Sequence, residues 1–310
     1  MERRRSVASG FIEKGFQKQK VLSYTNIFSS TFYYKRNILT PQIKPGKPIP
    51  GYSLKTDGTV VLDSVIVELL KNYRSNKVFS NSGGYRKLRI YLRRDHGILI
   101  NKKKVYRLCF ENNLLLPKRK KSKKHKRLCN NHLITKPNQL WQFDIKYGFI
   151  HGTNQTFYLL AFVDVYTKIV VSYHVGLTCK ALNLKMTLQL AFDKLSMTDK
   201  SSLTIRSDNG TQMSSNEFKK YVEANTLNHE FTPIRCPNKN AFIESFFSIY
   251  EVEFLQTRYF KNFKDAYLQT SEWMEWYNFS RVHGSIFDLA PKEFENNFYE
   301  KTTELIRISA

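Results

Sequence analysis

The strongest constraint in this sequence is the confinement of its positive charge to one part of the chain. Residues 1–136 contain 32 Lys and Arg against 7 Asp and Glu, whereas residues 137–310 contain 18 against 19. Such a split is typical of a polyanion-binding region joined to a neutral domain, and nucleic acid is the usual polyanion. A basic surface kept only for solubility would spread its charge over both parts, so the distribution favours a binding region.

The composition excludes several classes of protein. A hydrophobic fraction of 41% and an aromatic fraction of 14% exceed those of a disordered polycation, so most of the chain should bury a core. The length of 310 residues suggests about two domains. Without an apolar run long enough to span a bilayer, we expect a soluble, cytoplasmic protein that uses no membrane partner. The four cysteines form no CxxC, which argues against a disulfide framework or a zinc module.

The basic part is predicted to be helical. Residues 1–40 suggest two or three short helices in a helix-turn-helix segment, and the Pro- and Gly-rich residues 41–58 are predicted to be a linker. Residues 59–116 show the spacing of three further helices, the third beginning after Asn101, a favourable N-cap residue. We interpret this second group as an all-α, helix-turn-helix DNA-binding domain.

Two groups of basic residues are candidate DNA contacts. The first turns of the third helix carry outward-facing Lys102, Lys103, Lys104 and Arg107, where a recognition helix approaches bases and phosphates. A solvated helix face is the alternative explanation. Residues 117–136 are predicted to be a basic linker that neutralises phosphates, and its candidate contacts are Lys118, Arg119, Lys120, Lys121, Lys123 and Lys124.

The neutral part is predicted to be an α/β domain over residues 137–298, followed by a tail at 299–310. Apolar and β-branched runs at 140–150, 156–164 and 168–175 indicate a strand followed by a meander. Helix and strand patterns then alternate, giving the order β-β-β-α-β-α-β-α and a mixed five-stranded sheet. This order matches the ribonuclease-H-like fold.

Three acidic residues have positions that suggest a metal site. Asp144 lies within an apolar strand, Asp208 ends a strand at Asp-Asn-Gly, and Glu244 lies near the start of an aromatic helix. A lone buried carboxylate costs several kcal/mol unless a cation compensates it. Carboxylates without cysteine or paired histidine suit Mg²⁺ or Mn²⁺ better than zinc. Each acid alone could be a cap or turn residue, and Asp208 in particular fits a turn.

Together, the motifs resemble bacterial insertion-sequence transposases of the DDE, retroviral-integrase-like superfamily, specifically the second-frame product of a two-frame element. The resemblance covers residues 60 to 295, and 35 residues separate Asp208 from Glu244. It rests on Asn138, Trp141 and Asp144 in NQLWQFD; Phe162, Asp164, Lys168 and Val170; Ser207 to Gly210 with Gln212; Ala241, Glu244, Ser245 and Phe246 in AFIESFF; Tyr277, Asn278, Arg281, His283, Ser285 and Pro291 to Phe294 in YNFSRVHGSIFDLAPKEF; and GYRKL and NKKKV in the first half.

The resemblance implies an integrase-like catalytic core in which Asp144, Asp208 and Glu244 bind divalent metal, Mg²⁺ or Mn²⁺, with two ions in each site. It implies strand cleavage at the ends of an insertion element, followed by transfer of a freed 3′-hydroxyl to target DNA. The implied partners are double-stranded DNA, both terminal inverted repeats and target, further copies of the chain, and an upstream-frame partner or fusion. The implied location is the bacterial nucleoid.

Some residues depart from the pattern or allow two interpretations. Glu251 stands where the family has a basic residue that contacts the DNA end, so it is either a surface acid or a further metal ligand. Arg281 and His283 could contact DNA or pack behind the core. Four aromatic residues could stack bases, although packing is the more common role of such residues. They are Trp141, Trp273, Trp276 and Tyr277.

Two other functions remain compatible with the sequence. The chain could be a non-catalytic DNA-binding regulator or inhibitor derived from a transposase, which would have no need to keep carboxylates in apolar surroundings. A nuclease that only hydrolyses DNA would share the three acids and differ only in whether strands are joined.

Overall fold

The computed structural model describes residues 2–33, 50–76, 83–117, 133–196, 200–232, 240–300 and 308–309. The chain divides into two compact units, Met1–Pro50 and Gly51–Ala310. No helix in these ranges is both long and apolar enough to cross a membrane.

The described residues of the first unit form three helices, where the apolar pattern predicts two or three. They are α1 (Glu2–Glu13), α2 (Lys18–Thr25) and α3 (Ser29–Tyr33). Asn26 ends α2 in the left-handed conformation, a common way to terminate a helix. The small core of this unit contains Ala8, Val21, Leu22 and Ile27.

The second unit begins with three helices and a small sheet. The helices are α4 (Asp63–Ser75), α5 (Tyr85–His96) and α6 (Lys102–Glu111). They bury one apolar face each around Ile66, Leu70, Leu88, Leu92, Val105 and Leu108. The Asn101 side chain accepts the N–H of Lys103 at 2.9 Å, which confirms the predicted N-cap of α6.

The predicted linker and all-α description need correction in this region. The strands β1 (Tyr52–Lys55), β2 (Val60–Leu62) and β3 (Ile98–Leu99) form an antiparallel sheet in the order β2-β1-β3. The turn between β1 and β2 is stabilised by the Asp57 carboxylate, which accepts the N–H of Thr59, and by Gly58 at φ 86°. The Gly-containing end of the proposed linker is therefore a hairpin; residues 41–49 lie outside the described ranges.

The neutral part forms a five-stranded mixed sheet. Its strands are β5 (Leu140–Ile150), β6 (Gln155–Asp164), β7 (Val170–Gly176), β8 (Thr204–Ser207) and β9 (Asn228–Phe231), in the order β7-β6-β5-β8-β9. The first three strands are an antiparallel meander, and β8 and β9 run parallel to β5. A separate two-stranded antiparallel sheet is formed by β4 (Leu133–Ile134) and β10 (Ile308–Ser309). Of these two strands, β10 lies within the predicted tail.

Helices cover both faces of this sheet. On one face α7 (Ala181–Lys194) and α8 (Asn216–Ala224) pack on Trp141, Phe143 and their neighbours. On the other, α9 (Ala241–Glu253) and α10 (Phe263–Phe279) pack on Ile150, Phe157 and Leu159. The last helix is α11 (Pro291–Tyr299). The fold is the mixed α/β architecture predicted from the order of elements, a ribonuclease-H-like core preceded by a helical region.

Candidate active site

The parallel pairing of β5 and β8 brings two of the three acids side by side. Leu140–Gln142 pairs with Thr204–Arg206, so two further residues along each strand place Asp144 beside Asp208. The two acids therefore meet at the carboxyl end of β8, which ends at Ser207, and midway along β5; the carboxyl ends of parallel strands are where α/β proteins usually place their ligands.

The third acid is positioned by a side chain that sequence reasoning did not single out. Gln142 is fully buried on β5, and its amide oxygen accepts the backbone N–H groups of Phe242 at 3.0 Å and Ile243 at 3.2 Å. These groups belong to the first turn of α9, where helices leave N–H groups unpaired. Since Glu244 is the next residue, Gln142 fixes its helix against the strand that carries Asp144.

The electrostatics of Asp144 reflect this arrangement. Burial raises the pKa of Asp144, the negative charges of Asp208 and Glu244 add to the rise, and Lys146 and the N–H of Ile145 oppose it, so that this pKa lies at about 6. Burial also raises the pKa of Glu244. Asp144 is therefore close enough to Asp208 and Glu244 for their charges to disfavour its ionised form, a pattern common at functional sites and also seen in structural networks.

The three carboxylates are not arranged around one common metal position. Among the residues that the structure describes, no three His, Cys, Asp or Glu side chains are arranged to hold one metal ion. The donor set itself fits a hard cation, because it consists of carboxylate oxygens with no thiolate or imidazole.

The loop after β8 is held by hydrogen bonds on both sides of Asp208. Asp208 accepts the N–H of Gly210 at 3.0 Å, which is the turn role foreseen for it. Asn209 donates to the carbonyl of Thr232 at 2.7 Å, and the Ser207 hydroxyl lies 3.0 Å from His229 Nε2. Asp208 is exposed, and its negative charge acts on Asp144 while its carboxylate holds the turn.

The turn between β6 and β7 supports α9 from another side. The buried Asp164 carboxylate accepts the N–H groups of Tyr166 and Thr167 and, at 2.6 Å, the Thr167 hydroxyl. The ammonium of Lys168 lies 4.0 Å from the ring centroid of Phe242, and burial lowers the pKa of Lys168 to about 8. These residues hold the turn and the start of α9.

Replacing Gln142 by Leu should lower the free energy of unfolding by about 1–3 kcal/mol, because two N–H groups of α9 lose their acceptor. We also expect slower DNA cleavage, since Glu244 is no longer held. Urea unfolding checks the first effect. Gln17 precedes α2 but makes no side-chain capping bond, so Gln17→Met should change neither quantity. Equal stability of Gln142→Leu and the wild type would contradict the clamp.

The predicted DNA contacts on α6 divide into two pairs. Lys102 and Lys103 are exposed. Lys104 and Arg107 instead contact the Asp63 carboxylate of α4 at 2.6 and 3.0 Å. The latter two therefore tie α6 to α4. The six basic residues of the linker, from Lys118 to Lys124, lie outside the described residues.

We expect the double substitution Lys102→Gln/Lys103→Gln to weaken binding to DNA. Each phosphate contact contributes about 0.9 to the slope of log K against log salt concentration, so the slope should fall by about 2. Fluorescence anisotropy over a salt series measures it. Lys264, an exposed residue of α10, provides the control Lys264→Gln. An unchanged slope would mean that these lysines are only a solvated helix face.

The other candidate contacts are buried. Arg281 donates from Nε and Nη2 to the two carboxylate oxygens of Glu253, both at 2.8 Å, and its Nη1 donates to His283 at 3.0 Å. Burial and the Arg281 charge hold the pKa of His283 well below its usual range. The candidate base-stacking residues are also buried, and they pack in the core: Trp141, Trp273, Trp276 and Tyr277.

Three family models match parts of the chain. Models described as integrase core domain match residues 134–237 and 225–291, and an HTH-like domain model matches residues 68–122. The chain is 26% identical over 255 residues to an uncharacterised 39.2 kDa protein of insertion element IS476 from Xanthomonas euvesicatoria, covering 81% of this chain and 68% of that protein.

Another relative is named as a transposase. The chain is 26% identical over 166 residues to transposase InsF of insertion sequence IS3A from Escherichia coli strain K12, covering 52% of this chain and 54% of InsF. Among solved structures, it matches a simian T-cell lymphotropic virus intasome in complex with PP2A regulatory subunit B56 gamma, with a TM-score of 0.45, 17% identity and 74% coverage of each chain.

Proposed function

Because this chain belongs to the insertion-sequence transposases of the DDE, integrase-like superfamily, we propose that Asp144, Asp208 and Glu244 are the carboxylates with which it acts. The chain is a DNA transposase, a polynucleotidyl transferase. The observation that supports the choice of residues is the convergence of three elements at one sheet edge. Register brings Asp208 to Asp144, and Gln142 fixes the helix of Glu244.

The three carboxylates would hold Mg²⁺ or Mn²⁺, two ions in each site. A divalent cation would favour the ionised form of Asp144, whose pKa is raised by burial and by the neighbouring charges, and it would draw the side chains closer together. Bound metal supplies activation of an attacking oxygen and stabilisation of a leaving one during phosphoryl transfer.

The reaction has two steps that use the same acids. In the first, water attacks a phosphodiester at the end of the element; a new P–O bond forms, the bond to the 3′-oxygen breaks, and that oxygen leaves as a 3′-hydroxyl. In the second, this hydroxyl attacks a target phosphodiester and displaces its 3′-oxygen. Asp144, Asp208 and Glu244 would hold the cations that both attacks require, and no covalent bond between protein and DNA forms.

The basic parts of the chain would recognise the DNA. We assign terminal inverted repeats and the target duplex to the helix-turn-helix region and the basic linker, with Lys102 and Lys103 of α6 as contacts that the structure leaves exposed. Two ends must be held together for joining, so the active form would be a multimer on DNA in the bacterial nucleoid. An upstream-frame product, supplied separately or fused, would complete that assembly.

The test is cleavage and joining of a labelled duplex that carries the end of the element, in Mg²⁺ or Mn²⁺. We expect the wild-type chain to produce both cleaved and joined strands. Glu244→Gln should abolish both products while DNA binding is retained. Glu275→Gln, which removes an exposed acid from α10, is the matched control and should retain activity.

The products separate the competing functions. Cleavage without joining would indicate a hydrolytic nuclease. Binding without cleavage, by the wild-type chain alone and with its upstream-frame product, would indicate a regulator.

A further inference from the structure

An ion pair lies beside the three acids. Lys146 Nζ is 2.9 Å from Glu251 Oε2. Lys146 follows Asp144 by two positions on β5, so both side chains point to the face of the sheet that α9 covers. Glu251 follows Glu244 by seven positions on α9, two turns along the same face of that helix. The pair thus continues the line of the acids.

This ion pair contributes little to the stability of the fold. The two side chains are 31% and 33% exposed, and exposed ion pairs typically contribute only about 0.2–1 kcal/mol to stability. The ammonium of Lys146 also acts on Asp144, whose pKa it lowers against the effect of burial. Lys146 is therefore a positive charge at an edge dominated by carboxylates.

One member of the pair, Glu251, also lines a groove. Its volume is about 330 Å³, and its lining includes Tyr147, Phe149, His151, Glu251 and Leu255. Tyr147 and Phe149 are 59% and 46% exposed. Exposed aromatic rings provide surfaces on which the bases of single-stranded nucleic acid can stack.

We propose that Lys146 binds a phosphate of the DNA strand whose reacting end lies at the acids, and that Glu251 competes with that phosphate for the ammonium. The assignment rests on the proposed function, since it takes DNA as the occupant. A polyanion approaching three carboxylates needs a positive charge near the reacting phosphate, and Lys146 supplies one. Glu251 sets how strongly it does so, because the phosphate must replace this carboxylate.

The pair can be tested because its two members have opposite effects on DNA. If the pair only stabilised the fold, removing either partner would change binding in the same direction. If Lys146 binds phosphate, Lys146→Gln should weaken binding about threefold to tenfold and reduce the salt slope by about 1. Glu251→Gln should instead strengthen binding by a similar factor, because the ammonium no longer has a competing carboxylate.

The measurement is fluorescence anisotropy of a labelled duplex with the terminal sequence of the element, on the full chain without divalent metal. Thermal unfolding of both variants should match the wild type within a few degrees, and Lys264→Gln should leave the salt slope nearly unchanged. Shifts in the same direction for the two variants, or no shift in either, would overturn the proposal. Because the assay measures DNA binding, its result does not depend on whether the wild-type chain cleaves DNA. Failure of this proposal and failure of the proposed function can therefore be told apart.

Discussion

Glu253→Ala should lower the free energy of unfolding by about 3–5 kcal/mol, because it leaves a buried charge without its partner. Glu253 and Arg281 are 3% and 4% exposed, and the guanidinium donates to both carboxylate oxygens. Burial alone would lower the pKa of Arg281, but the hydrogen bonds to Glu253 outweigh it and raise that pKa. Removing the acid leaves a charged guanidinium buried against Tyr277 without its partner. Urea unfolding followed by circular dichroism measures the loss.

The same helix provides the control for this prediction. Glu251 lies two positions earlier and pairs with Lys146 at a half-exposed site, so Glu251→Ala should cost less than about 1 kcal/mol. Equal losses of unfolding free energy in Glu253→Ala and Glu251→Ala would show that burial does not make one ion pair more important for stability than the other.

Asp144→Asn should reduce strand cleavage by a factor of about 10³ or more, because the metal loses a ligand whose effect on phosphoryl transfer is several kcal/mol. The same change should not destabilise the chain in metal-free buffer. An amide relieves the repulsion from Asp208 and Glu244 and can still accept the N–H of Ile145, so we expect a gain of about 1 kcal/mol. Cleavage assays and thermal unfolding in EDTA measure the two effects.

Added Mn²⁺ separates a metal ligand from a structural acid. It should raise the melting temperature of the wild type, since a ligand that binds only the folded state stabilises it, and should leave Asp144→Asn unchanged. Glu275→Gln, on the surface of α10, should respond to Mn²⁺ as the wild type does. A lower stability of Asp144→Asn without metal would mean that the carboxylate serves the fold.

Much of the core could be predicted because its signals are local. β5 and β6 are long apolar runs, and the predicted first strand, 140–150, matches the observed Leu140–Ile150. Asp144 could be recognised because a carboxylate between Phe143 and Ile145 requires an explanation. Asp208 could be placed just after the end of a strand because the strand pattern stops at Ser207.

The remaining features depend on pairs that are distant in sequence. Gln142 carries no motif by itself, since its partners on α9 lie 100 and 101 positions away. Helical spacing placed Lys104 and Arg107 on an outward face, but it could not reveal Asp63 on α4 as the acid that engages them. Such pairs are set by how the elements pack, and a periodic pattern records only which face of each element is buried.

Anomalous scattering from crystals of the chain grown with MnCl₂ would locate the cation directly. We expect manganese at the edge formed by β5, β8 and α9, with carboxylate oxygens of Asp144, Asp208 and Glu244 about 2.0–2.2 Å from the ions they bind. Manganese held by other residues, or none at this edge at saturating MnCl₂, would contradict a metal-dependent site built from these three acids.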